Sequence, residues 1–248
     1  DSLRETRDKY KLLPKGRKYQ KKDDLPEKEI PLAAYNHGWI INYAAMLEDT
    51  DRAFGTLLDA IEELGIKENT YVVFTSDNGG GFRGNDPLKA GKGSLYEGGI
   101  RMPAFVRGPS IKKGSYCKVP VVQWDFLQTF YDLGGGREPL SADLDGGSLR
   151  DVFEKGNKGR VKRNTKELIF HFPWHTGVAE SVIRSGKYKL CKDLDSLEIQ
   201  LFDLSKDIGE LSDLAGEMPE LVRKLDRRRS GYLDSVNAET VTLTRRNY

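Results

Sequence analysis

Thr75-Ser76-Asp77-Asn78-Gly79-Gly80-Gly81 follows directly on the apolar run Tyr71-Val72-Val73-Phe74, and the reading of this junction decides the fold. The run is short, β-branched and aromatic, which predicts a buried strand ending at two oxygen-bearing side chains. In an open α/β sheet, ligands bind beyond the carboxyl ends of strands. Consecutive strand residues point to opposite faces, so Asp77 and Asn78 can share one ion only where the backbone leaves strand geometry, and the glycines permit that. A carboxylate beside a carboxamide is a hard, all-oxygen pair, suited to Ca²⁺ or Mg²⁺ rather than zinc. Downstream, Lys92 stands between Gly91 and Gly93, where the backbone can approach a small anion closely. Oxygen ligands plus a lysine predict a metal-assisted site for a tetrahedral oxyanion such as sulfate or phosphate. Taken alone, an Asp-Asn-Gly string equally reads as a turn after a strand.

The continuation is more specific. Thr75-Ser76-Asp77-Asn78-Gly79-Gly80, followed by Gly91-Lys92-Gly93-Ser94-Leu95-Tyr96-Glu97-Gly98-Gly99-Ile100-Arg101-Met102-Pro103, closely resembles the sulfatase family of the alkaline-phosphatase superfamily. The resemblance implies that Asp77 and Asn78 bind Ca²⁺ (Mg²⁺ possible) and that Lys92 contacts the sulfate group as a catalytic and substrate-binding residue. Related phosphatases place His after that Asp and hold zinc, so Asn78 favours the sulfatase branch.

Outward from this stretch, elements of both periods alternate. Tyr43, Met46, Leu47, Phe54, Leu57, Leu58, Ile61 and Leu64 recur at helical spacing, and Gly65 is a C-terminal stop. Pro103 to Arg107 reads as a second strand. Ser115 to Val122 reads as connecting backbone with room for another strand, and Asp125 to Leu133 as a helix stopped by Gly134-Gly135-Gly136. From Lys166 onward, Leu168–Phe172, Ser181–Arg184, Lys187–Leu190 and Gln200–Asp203 are short strands, Ser185-Gly186 is a hairpin signal, and Glu217 to Leu233 is a helix. The fold class is therefore α/β. By resemblance it is part of an alkaline-phosphatase-like sandwich, a mixed sheet flanked by helices, with a small C-terminal antiparallel sheet packed on one helix. Residues 1–160 belong to the α/β part, with 1–30 a charged surface segment, and 161–248 to the small subdomain.

Other candidate groups are weaker. His171 and His175 flank Phe172-Pro173-Trp174. They read either as strand-end histidines or as part of a loop over the cleft, and many sulfatases have a similar His-x-Pro-His-like string, which implies substrate binding. Trp174 offers a face for a sugar or aryl ring. His37 does not match the family's sulfate-contacting histidine, and Asp49 and Asp51, two apart on a helix, do not face one another. Asp23-Asp24 follows lysines instead of an apolar strand and does not match the family's paired aspartates.

Composition bounds the rest. The chain is 38% hydrophobic and 31% charged with a formal charge of +2, which fits a soluble globular protein and argues against a nucleic-acid or membrane-surface partner. The basic run from Lys9 to Lys22 reads as a solvated surface. Cys117 and Cys191 make one bridge or none. No stretch approaches the ~20 apolar residues of a membrane span. The family's formylglycine nucleophile arises from Cys or Ser in a Cys/Ser-x-Pro-x-Arg string. Cys117-Lys118-Val119-Pro120 and Cys191-Lys192-Asp193 both depart from it. The resemblance thus implies the C-terminal portion of a sulfatase, with the N-terminal half of the same enzyme as partner and source of formylglycine. It also implies a sulfated carbohydrate or aryl sulfate as substrate, and secreted, periplasmic or lysosomal residence. The alternatives are a phosphatase or phosphonate hydrolase of the same superfamily, or a module that binds sulfated glycans without cleaving them.

Overall fold

Strand-period and helix-period segments alternate along the computed structural model, which describes residues 37–81, 85–138, 140–173 and 179–241, with side chains from residue 43 onward. The charged segment 1–30, Asp23-Asp24, Trp174 and His175 lie outside the described residues. The chain divides into two compact units, 1–71 and 72–248.

In the first unit, α1 spans His37–Glu63 and is followed by a 3₁₀ turn at Lys67–Asn69. Gly65 ends the helix at φ 67°, a left-handed cap that an L side chain resists. Asp49 is not a ligand partner for Asp51. It pairs with Arg52, which also reaches Glu48, the i,i+3 and i,i+4 pairing expected on a helix surface.

The second unit begins with β1 (Val72–Thr75), paired antiparallel to β2 (Ala104–Arg107), with Val73 opposite Val106. The four-residue helix α2 (Glu97–Ile100) lies between them in sequence. Helices α3 (Asp125–Leu133) and α4 (Arg150–Lys155) follow. Residues 115–122, where a strand had room, form irregular backbone. The fully buried Asp125 carboxylate accepts from Val122 N, Gly147 N and, at 2.8 and 2.6 Å, from the Arg163 guanidinium. This charge-assisted fork fixes the entry to α3.

The C-terminal sheet runs β3 (Leu168–Phe172), β4 (Glu180–Ser185), β5 (Tyr188–Asp193) and β6 (Ile199–Asp203) in sequence order, antiparallel throughout. The β4–β5 turn is Gly186-Lys187, one residue later than the sequence signal, because Ser185 still pairs with Tyr188. Gly186 takes φ 60°, so the glycine sits inside the turn.

Alternation gives this sheet two distinct faces. On one, Ile183, Leu190 and Leu201 pack with Leu225 of α5 (Pro219–Ser235), each at most 1% exposed. Each such side chain contributes about 1.5–3 kcal/mol by burial. Arg229 and Asp226 of α5 bind Ser181 and Lys192 on the same face. On the other, Val182, Cys191 and Phe202 pack with Leu95 and Leu204, and the same rows carry Glu180, Arg184, Lys189 and Gln200.

Lys189 has no solvent exposure. Its Nζ lies 3.0 Å from Glu97 Oε1 and 2.8 Å from Glu210 Oε1, while Glu97 N donates to Glu210 Oε2 at 2.7 Å. Arg101 and Arg184 approach the second Glu97 oxygen at 3.4 and 4.0 Å. Burial holds the Glu210 carboxyl above its ordinary range, with Lys189 offsetting part of the effect. Glu210 also sits at φ 54°, a left-handed conformation unusual for glutamate.

Three outcomes follow from this packing. Lys189→Met leaves two buried carboxylates without their shared cation and should lower stability by about 3–5 kcal/mol, read from denaturant unfolding. Cys117 is exposed, whereas burial pushes the Cys191 thiol up to about 12. A thiol reagent should therefore titrate one cysteine per native chain and both after unfolding. Lys187, followed by Ser205, holds the Asp203 carboxyl at about 2, below its ordinary 3.8. That carboxylate stabilises the fold above its unfolded value and loses this effect as pH falls toward 2, so Asp203→Asn should flatten the acid limb of a stability–pH curve.

Candidate active site

The end of β1 is welded to the Lys92 loop by backbone. Gly79 N donates to Gly99 O at 2.8 Å, and Lys92 N donates to Gly80 O at 2.8 Å. Asn85 closes the joint, its Nδ2 donating to Gly98 O at 2.9 Å with Gly80 O and Ala90 O each at 3.3 Å. A Cβ at Gly79 would stand 2.0 Å from Gly98 O, and one at Gly98 would stand 2.3 Å from Ala90 O. The glycines at these two positions therefore allow strand end and loop to touch, a role distinct from the anion approach that the sequence suggests at Gly91 and Gly93. Asn85 was invisible to motif reading, since its value lies in three carbonyls gathered from separate turns.

Asp77 is exposed at the strand end, and Ser76 Oγ lies 3.4 Å from its Oδ1. Asn78 is half-buried, and its Nδ2 donates to Gly79 O at 2.9 Å. With the amide nitrogen committed, Oδ1 is the atom that Asn78 can offer a ligand. The pair therefore presents oxygen donors, the chemistry that a hard divalent cation takes. Among the described residues no three His, Cys, Asp or Glu side chains gather into a metal-binding group. Lys92 is exposed, and among the described residues its ammonium makes no ion pair. Gly80, whose carbonyl holds Lys92, is three residues from Asp77, so the Asp77 and Gly80 backbones stay within roughly 11 Å and Lys92 is one hydrogen bond further.

The loop carrying Lys92 is moored to the C-terminal sheet at four successive residues, Ser94 to Glu97. Glu180 accepts from Ser94 Oγ at 3.1 Å and from Leu95 N at 2.5 Å. Tyr96 donates its hydroxyl to Gln200 Oε1 at 2.5 Å, and the Lys89 ammonium lies 3.9 Å above the Tyr96 ring. Glu97 then enters the Lys189–Glu210 cluster. All the sheet residues involved belong to the face opposite α5. Period-2 alternation along Glu180-Ser181-Val182-Ile183-Arg184 was the signal for this, because it puts Glu180 and Arg184 on one side with Val182. From the other direction, Gln123 Nε2 donates to Ser76 O at 3.2 Å, tying the entry of α3 to the strand end.

His171 is a residue of β3, the first of the two readings that its sequence leaves open. It pairs with Ser181, and its neighbour Phe170 packs with Trp124 at 5.3 Å and with the cluster around Leu95. Alternation then puts His171 on the α5 face, where its Nε2 lies 2.8 Å from Glu239 O. Backbone hydrogen bonds thus join the segment of Asp77 and Asn78 to that of Lys92, His171 lies on the α5 face of the C-terminal sheet, and His175 is outside the described residues.

Comparison with known proteins places the chain in a family. The sulfatase family model matches residues 14–136, and the model for the C-terminal region of N-sulphoglucosamine sulphohydrolase matches residues 90–231. A sulfatase of Formosa agariphila is 32% identical over 226 residues, covering 80% of this chain and 40% of that protein. Arylsulfatase K of Xenopus laevis is 30% identical, covering 77% of this chain and 36% of that protein. The crystal structure of Ps i-CgsB in complex with k-i-k-neocarrahexaose is 27% identical with a TM-score of 0.66, over 89% of this chain and 47% of that one. The chain thus spans less than half the length of these relatives. Its α/β architecture is part of the alkaline-phosphatase-like fold of those structures. The chain belongs to the sulfatase family and corresponds to its C-terminal portion.

Proposed function

We propose that the protein is a sulfuric ester hydrolase acting on sulfate esters of a sugar or an aryl compound, and that this chain supplies one wall of its active site. The observation that carries the reading is the joint itself. Two hydrogen bonds, Gly79 N to Gly99 O and Lys92 N to Gly80 O, hold an oxygen-donor pair and a solvent-facing lysine in one rigid block. A hard divalent cation, Ca²⁺ or Mg²⁺, would be held by the Asp77 carboxylate and Asn78 Oδ1. When bound, it supplies positive charge to the sulfate oxygens. Ca²⁺ takes six to eight oxygens, so further ligands come from outside this sequence, as does the formylglycine nucleophile.

Within that arrangement Lys92 binds and orients the sulfate group and neutralises its oxygens as charge develops on them. Its backbone is fixed at Gly80 and its loop at Glu180, Gln200 and Lys189, so little reorganisation accompanies the reaction. The arylsulfatase K relationship supports an aryl or related ester, and the oligosaccharide complex of Ps i-CgsB supports a sugar. Secreted, periplasmic or lysosomal residence is part of the same proposal. Among the described residues no helix is long and apolar enough to cross a membrane.

The test is turnover of an aryl sulfate and an aryl phosphate by the full-length protein. Sulfate should be preferred, and Lys92→Ala should lower kcat/KM by roughly 10²–10³-fold, the size seen when one transition-state donor is removed. Asp77→Ala, or treatment with a chelator, should abolish turnover, with Ca²⁺ restoring it only to the wild type. A preference for phosphate, or full activity in Lys92→Ala, overturns the assignment.

A further inference from the structure

The near-neutral overall charge conceals a local concentration. Segments 108–119 and 155–163 together contain eight basic residues and no acidic one. The fold brings them side by side, because Lys118 N donates to Asn157 Oδ1 at 2.6 Å and Asn157 Nδ2 donates to Tyr116 O at 3.2 Å. Lys155 is bound to Asp151, and Arg163 to Asp125. Lys112, Lys113, Lys118, Lys158, Arg160 and Lys162 are exposed, and among the described residues none of them forms an ion pair. Asp151 and Glu154 precede the second segment in sequence, and the first is already engaged by Lys155 and Arg160 N. Amid these cations Tyr116 is 91% exposed, an aromatic ring presented to solvent.

We infer that this surface is an exosite for the chain of a sulfated polysaccharide, engaging sulfate groups away from the one being cleaved. A cluster of like charges raises the local concentration of a polyanion, and an exposed aromatic ring adds a platform for a sugar ring. Its position fits that role. Arg163 Nη2 donates to Pro120 O, and Gln123 touches the backbone beside Asp77. Lys118 and Gln123 are five residues apart, so at ~3.5 Å per residue they are separated by at most about 18 Å. A linear glycan a few rings long spans such a gap. Continuity with the anion-binding block favours a sulfated glycan over a nucleic acid. The inference rests on the sulfatase reading only for the kind of polyanion chosen.

The test compares the full-length protein with a patch variant carrying K112S, K113S, K158S and R160S, and with a control carrying K206S and K224S elsewhere on the surface. Heparin is the probe. The patch variant should bind immobilised heparin at least tenfold more weakly at low salt. The control should stay within twofold of wild type, and the difference should shrink as salt screens the charges. In parallel, kcat/KM on a sulfated polysaccharide should fall about tenfold in the patch variant with kcat/KM on a small aryl sulfate unchanged. If the wild type cleaves no sulfate ester, the sulfatase reading fails while the heparin arm still decides the exosite. Heparin binding that the patch variant retains, equal losses in patch and control variants, or tighter wild-type binding to duplex DNA than to heparin would overturn the inference.

Discussion

The second unit depends on one ammonium group held out of water. Lys189 carries its charge into a region with no solvent exposure, and only the simultaneous approach of Glu97 and Glu210 makes that tolerable. A buried charge with one missing partner is far costlier than the intact cluster is stabilising, so the cluster acts as a lock. Each member comes from a different part of the chain: the start of α2, the inner strand β5, and the segment between β6 and α5. Closing it therefore fixes three segments at once. Glu210 joins it from a left-handed backbone position, φ 54°.

From that lock the rest of the site follows by short links. Glu97 stands five residues beyond Lys92 in a loop whose glycines let it press against the end of β1. The C-terminal sheet is thus a foundation with two unlike faces. One is an aliphatic bed for α5, and the other is a row of polar anchors interleaved with Val182, Cys191 and Phe202. Chemistry proposed for Asp77, Asn78 and Lys92 requires those side chains to hold still, and the sheet removes the freedom of the loop that bears Lys92.

Much of this architecture was legible in the residues. The helix at 125–133 follows its apolar spacing residue for residue, and all four C-terminal strands lie where the β-branched runs fall. Tertiary pairing moved only details: the hairpin turn shifted by one residue, and residues 115–122 stayed irregular. The Asp-Asn-Gly string was ambiguous alone and became specific through the Gly-Lys-Gly and Tyr-Glu-Gly-Gly strings that follow it.

The sequence by itself determined the family and the order of elements and suggested the oxygen-plus-lysine chemistry proposed for the site, because these are encoded in local spacing and in side-chain type. Only the tertiary structure decided that Lys189, Glu180 and Gln200 support the Lys92 loop, that Asn85 gathers three carbonyls, and that His171 turns to the helix face. It also showed two basic segments, some forty residues apart, to be one surface. Such relations depend on which strand face a residue occupies and on what another segment brings to it. A linear pattern carries the alternation but leaves the partner unspecified.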